Sequence, residues 1–253
     1  MLEKEWLLTC APIGILEKTK QSWTPIAAGV FVYDNPFIWY VTSRQQICKN
    51  NDTPLYVLLR HKTLHQILFD ISSMHKQENL DWVFDEQNNI AATLFPADPN
   101  FELKAIGFES FFASKDILPA MNCYSVSYPY ILAELDAETV NPCVLGGIIS
   151  RIDEPSKIYV TTPIFPDNYG SPLFVWKNPF NSSNSIILGN PSIYFGGIMT
   201  KTISTQANND RSGTPLFQSI NLGVMSSSEL IQELLVTPKA LSQKKKLKEK
   251  NGI

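Results

Sequence analysis

Acyl transfer through a hydroxyl nucleophile needs four groups: the hydroxyl, a base to hold its proton, a carboxylate to orient the base, and donors for the oxyanion. The chain offers His61, His65 and His75 as bases, Asp81 and Asp85 as carboxylates, and Ser171 as a nucleophile. Ser171 lies in Pro166-Asp-Asn-Tyr-Gly-Ser-Pro-Leu-Phe174, a turn that runs into an apolar strand. His61 and His65, within Leu58-Leu-Arg-His-Lys-Thr-Leu-His65, read as exposed turn and strand positions. Metal and phosphate chemistry is less well provided for. The sequence has no His-Glu-x-x-His, no Cys-x-x-Cys, no Walker loop and no GxGxxG after a strand, so no metal site and no cofactor is expected. Gly146-Gly147 and Gly196-Gly197 read as points of close approach within strands.

Four stretches occur in a telling order. Ile26–Tyr33 is followed by Phe37–Cys48, with Gly29, Val41, Thr42, Ser43 and Arg44 as its marked positions. Asn89-Ile-Ala-Ala-Thr-Leu-Phe-Pro96 comes next, then the Pro166–Phe174 turn, then Asn221-Leu-Gly-Val-Met-Ser-Ser-Ser-Glu229 and the apolar run after it. Over residues 12 to 236 this ordered set resembles the trypsin-like serine proteases of bacterial type. The resemblance implies an all-β fold of two packed six-stranded antiparallel β-barrels with a short C-terminal helix. A trypsin-like domain would fill residues 1–236, with the first barrel over 12–105, the second over 118–225 and the helix over 226–236.

The same resemblance places the histidine at Gln45, the aspartate at Asn89, the serine at Tyr169 and the oxyanion glycine at Asp167. Each substitution removes one requirement. Glutamine has no pKa near neutrality and cannot serve as the base. Asparagine cannot stabilise an imidazolium, a change that alone costs about 10⁴ in rate in the well-studied triad. A tyrosine hydroxyl has a pKa of about 10 and sits well beyond a serine's reach. A carboxylate at 167 would oppose the developing oxyanion.

The expectation is therefore a degenerate, catalytically inactive homologue: a pseudoprotease that binds a peptide or protein partner as an added strand. Its groove would be lined by Gly170, Ser171, Met199, Thr200 and Lys201, with the bulky members narrowing it. Two other readings stay open. One is an active hydrolase with displaced catalytic residues. The other is a structural interaction module that uses its exterior and basic end.

Strand-length apolar or alternating runs also occur at Trp6–Leu16, Leu55–Leu59, Ile67–Phe69, Cys143–Ile152, Ile158–Thr162, Ile186–Gly189 and Ser192–Lys201. Residues 203–214 are polar and predict a long exposed loop. Ser226-Ser-Ser-Glu229 has a capping-box spacing, and Leu230, Ile231, Leu234 and Leu235 follow on one helical face. The net charge of −3 gives no global sign of nucleic-acid binding. Residues 237–253 hold six lysines and one acid, a local charge of +5 against −8 for the rest. That block predicts a solvated, disordered tail, with Lys244, Lys245, Lys246 and Lys248 available to an acidic partner. Cys10, Cys48, Cys123 and Cys143 could pair in three ways, but scattered single cysteines more often serve as small buried hydrophobes. The first ten residues lack the basic start and apolar core of a signal peptide, and no apolar run approaches a membrane span. A reduced, soluble, cytoplasmic protein is expected.

Overall fold

The computed structural model describes residues 4–17, 22–50, 52–128, 141–162, 168–177, 192–209 and 215–251. After a 3-10 turn over Lys4–Thr9, the first half forms β1 (Cys10–Glu17), β2 (Ser22–Asp34), β3 (Phe37–Ser43), β4 (Leu55–His61), β5 (His65–Asp70), β6 (Val83–Asp85), β7 (Ile90–Phe95) and β8 (Ile106–Gly107). Helix α1 (Arg44–Lys49) follows β3, and α2 (Ile71–Glu78) follows β5. The second half forms β9 (Asn122–Ser127), β10 (Cys143–Glu154), β11 (Lys157–Thr161), β12 (Pro172–Lys177), β13 (Ser192–Asn209) and β14 (Pro215–Ser227). Helices α3 (Ser228–Leu235) and α4 (Pro238–Asn251) close the chain.

The second half is a closed barrel in the order β10-β11-β14-β13-β12-β9, the six-stranded antiparallel barrel expected there. The first half is different. Its eight strands make a sheet in the order β5-β4-β1-β2-β3-β7-β6, with β8 paired to β2, and among the described residues no ladder joins β5 to β7. The expectation of two closed barrels is corrected on this point. The cause is local: Asp70 accepts a hydrogen bond from Ser73 N at 2.8 Å and caps a new helix, so the chain leaves the sheet as α2. β6 then pairs only with Ile90–Ala92, and Phe69 meets Phe95 ring to ring at 4.9 Å across the unpaired seam.

Strand periodicity explains the three cores. On β2, Ala27 and Phe31 face the interior of the first sheet, while Ala28, Val30 and Val32 face the second barrel. On β3, Tyr40 points inward while Trp39 and Val41 join that interface. Leu173, Val175, Met199 and Met225 fill the closed barrel, whereas Phe174 and Phe195 face the first sheet. Strands at the interface are thus buried on both faces, which is why they read as continuous apolar runs.

Three further expectations change. The polar segment after Lys201 is not all loop: β13 continues to Asn209, paired with β14 down to Pro215. Backbone pairing makes this ladder, so polar composition does not argue against it. The capping box does not form. Ser227 is the N-cap of α3 but makes no side-chain cap bond, Ser226 Oγ donates to Asn88 O at 2.9 Å, and Glu229 Oε2 accepts from Ser114 Oγ. The basic end is helical over Pro238–Asn251 rather than disordered, because its cations find partners on the acidic body. Lys244 pairs with Asp34, both largely buried, and Lys246 and Lys250 donate to Asn79 O and Gln77 O at the C-terminal end of α2. Cations are favourable at that end of a helix. Of the four lysines expected to meet an acidic partner, Lys245 and Lys248 remain exposed. The expected strand over 186–189 lies outside the described residues. No described helix is long and apolar enough to cross a membrane.

Candidate functional site

Gln45 sits in the first turn of α1, directly after β3, with its side chain exposed. Asn89 occupies the tight turn before β7 in the left-handed region, φ 56°, a conformation asparagine adopts more readily than most residues. Its turn locks onto α1 through Arg44 N donating to Asn89 O at 3.1 Å and Gln45 N donating to Asn89 Oδ1 at 2.8 Å. The other end of the same amide faces the second barrel: Nδ2 donates to Thr200 O at 2.9 Å and to Ser43 Oγ at 3.2 Å. One side chain therefore ties β3, α1 and β13 together.

Tyr169 approaches from the turn before β12. Its carbonyl accepts from Ala28 N at 3.0 Å, and its hydroxyl accepts from Thr202 N at 3.3 Å, two residues along β13 from Asn89's partner. The next residue, Gly170, has φ +89°, and a Cβ there would overlap the Ala28 carbonyl oxygen and Thr42 Oγ1. Only glycine fits that junction. Gly170 N donates to Met199 O at 2.7 Å, and Met199 N to Ser171 O at 2.9 Å. Gln45, Asn89 and Tyr169 thus lie on three segments that meet where the first sheet contacts β13. Asp167 and Pro166 lie outside the described residues.

The five residues expected to line a groove divide. Gly170, Ser171, Met199 and Thr200 are buried, and Met199 packs inside the closed barrel. Only Lys201 is exposed. Sequence periodicity could not assign these faces because the strand shifts register between Met199 and Lys201.

No family model and no curated protein matches the sequence. Among solved structures, that of Deg5 is similar, with a TM-score of 0.55 at 15% identity, covering 92% of this chain and 91% of that one. The fold is trypsin-like. At this identity the likeness extends to the fold alone.

Within this trypsin-like frame the other candidate groups are dispersed. Ser171 Oγ is fully buried and has no hydrogen-bond partner among the described residues, and the same holds for both polar atoms of the Asn168 amide beside it. His75 Nε2 meets Thr93 Oγ1 at 2.6 Å under the open edge of the first sheet, and burial pushes its pKa down, with Asp81 partly opposing. His61 Nδ1 accepts from Thr63 N and Leu64 N at 3.2 Å, holding the β4–β5 turn. Asp81 pairs with Lys239, and Asp85 accepts from Asn88. All four cysteines are free thiols. Burial raises the Cys10 thiol well above its ordinary range and pushes Cys123 up to about 12, so neither is a ready nucleophile. The resemblance singled out Gln45, Asn89 and Tyr169 but not the hydrogen bonds that tie them to Thr200 and Thr202. Thr200 and Thr202 act through backbone atoms, which leave no residue-type signal.

Proposed function

We propose that this chain is a catalytically inactive trypsin-like protein that binds a peptide or protein partner. The carrying observation is the use made of the Asn89 amide. Its oxygen holds Gln45 N within the first half and its nitrogen holds Thr200 O on the closed barrel, so one side chain bridges the two halves. At this position the resemblance implies a carboxylate that orients an imidazole, and here neither the carboxylate nor the imidazole is present. Tyr169 also has a structural role, its hydroxyl capping the backbone N–H of Thr202. In this reading the junction that performs acyl transfer in the active enzymes has become a joint between two sheets. The partner would be an extended segment held mainly by main-chain hydrogen bonds.

The rival reading, a hydrolase with displaced residues, needs an accessible nucleophile beside a base. Ser171 is buried away from solvent, and His75 is occupied by Thr93, which weighs against it. A fluorophosphonate probe and a broad peptide library test the reading. No labelling and no cleavage is the expected outcome, together with saturable capture of a subset of extended peptides. Stoichiometric labelling at any serine would overturn it, and failure to capture any peptide would remove the binding half.

A further inference from the structure

Helix α2, the start of β3, the end of β7 and Leu247 of α4 border a cavity of about 620 Å³ at the open seam of the first sheet. Small-molecule sites have volumes of this order, with apolar walls and a few placed polar groups. Met74, Leu94 and Phe95 of the lining are buried, whereas Ile38, Phe69 and Leu247 are only half-buried. The Phe69 and Phe95 rings already touch, centroids 4.9 Å apart, and so make one continuous wall. Among the described residues only two charged side chains line the cavity, and both are acids: Asp70 and Glu78, at the two ends of α2. They differ in what balances them. Glu78 Oε2 accepts from Lys250 Nζ at 2.8 Å. Asp70 Oδ1 accepts from Ser73 N and Asp70 Oδ2 from Ser73 Oγ, both at 2.8 Å, and among the described residues no cation pairs with it. A carboxylate has about four acceptor sites, so two remain on Asp70. Lys248 and Lys250 of α4 border the lining residues without lining the cavity themselves; Lys248 Nζ lies 5.7 Å from the centroid of the Phe37 ring.

We propose that this cavity binds a small amphipathic amine in its ammonium form. The ammonium would meet Asp70, and the apolar body would lie along Met74 and the wall that Phe69 and Phe95 make together. Charge complementarity selects the sign. A ligand carboxylate would face two acids, whereas an ammonium supplies the ionic partner that Asp70 lacks, through a charge-assisted hydrogen bond. The N-terminal end of α2 offsets part of the Asp70 charge, roughly half an elementary charge, and leaves the rest for a ligand. The lining selects the body, since a polar group placed against Met74 and Phe95 would lose its hydrogen bonds to water without replacement. An inserted peptide strand fits less well, because Phe69 and Phe95 already touch across the seam. The site is separate from the junction around Asn89 and does not depend on the function proposed for it.

Isothermal titration calorimetry of the full chain at neutral pH with butylamine, hexylamine, octylamine, octanol and octanoate tests the proposal. Affinity should rise about fourfold with each buried methylene along the amine series. Octylamine should bind more tightly than octanol, and octanoate most weakly. Asp70→Asn keeps an acceptor for Ser73 N, and asparagine caps helices as well as aspartate does, so the melting temperature should hold. This variant should weaken octylamine about tenfold and leave octanol unchanged, the size expected for one charge-assisted contact. Glu78→Gln changes a carboxylate already held by Lys250 and should weaken octylamine less than about threefold. Ala97→Trp and Gln77→Trp place bulk at exposed lining positions and should abolish binding of all the octyl ligands without lowering the melting temperature. No saturable binding of octylamine, equal affinity for octylamine and octanoate, a larger loss in Glu78→Gln than in Asp70→Asn, or binding unchanged in both tryptophan variants would each overturn it.

Discussion

Asn89→Asp is the most informative single change, because it restores the residue type of the active enzymes at a site where the structure uses an amide. The variant keeps the acceptor for Gln45 N but replaces the donor to Thr200 O and Ser43 Oγ with an oxygen. Two oxygens would then face each other 2.9 Å apart, the present separation of Asn89 Nδ2 and Thr200 O. Losing the bond and leaving the Thr200 carbonyl unsatisfied costs about 1–3 kcal/mol. For a domain of this size that lowers the melting temperature by roughly 2–4 °C per kcal/mol.

The cost depends on pH. In the variant, a protonated carboxyl at position 89 can still donate to Thr200 O, so the folded state favours the protonated form and its pKa rises above the unfolded value of about 3.9. Below about 3.9 both states are protonated and the variant is close to wild type. As pH rises through that value towards the folded pKa, the unfolded state releases its proton first and the variant loses stability. Urea melts of wild type and variant at pH 3.5, 5 and 7 should therefore diverge with rising pH. Equal stability at pH 7, or a variant more stable than wild type, would refute the account of Asn89 as a bridge.

Gly170→Ala should destabilise the protein by several kcal/mol or prevent folding, since the new Cβ would overlap the Ala28 carbonyl in a positive-φ turn; thermal melts check this. Lys244→Ala leaves Asp34 largely buried without its partner and should cost about 3–5 kcal/mol, while Lys245→Ala, in an exposed pair with Glu249, should cost less than about 0.5 kcal/mol. Denaturant titration of both variants separates a docked helix from a loose one, and equal small effects would argue that α4 is not held. His75, lowered by burial, should titrate below 6.5 by NMR; its contribution to stability is present above 6.5 and is lost as pH falls through the folded pKa. Thiol titration with a chromogenic disulfide at pH 8 should label Cys48 and Cys143, which are partly exposed, well before the buried Cys10 and Cys123. Simultaneous reaction of all four would contradict the packing described here.

Much of the architecture was legible in the residues. The apolar runs at 26–33, 37–43 and 90–95 mark strands β2, β3 and β7, and Gly29, Thr42 and the Asn-x-Gly-Ser-Pro turn place them in a trypsin-like order. Periodicity specifies which side chains share a face, and a run that is apolar throughout signals burial on both faces, as β2 and β3 show. The resemblance of the flanking motifs to the trypsin-like proteases singled out positions 45, 89 and 169, and residue type then specified what chemistry each can no longer perform.

Other features depended on the fold. Helix α2 had a local signal, Asp70 as N-cap and Asn79 as a left-handed C-cap, yet its effect, leaving the first sheet open, depends on strands that are distant in sequence. The lysine-rich end looked solvated because charge density alone favours disorder; Asp34, Asn79 and Gln77, brought alongside by the fold, turn it into a docked helix. The role of Asn89 was the least legible, because its decisive partner is a backbone carbonyl 111 residues away and every residue type offers the same carbonyl. A sequence lists the donors and acceptors, but only the packing of one sheet on the other determines which of them meet.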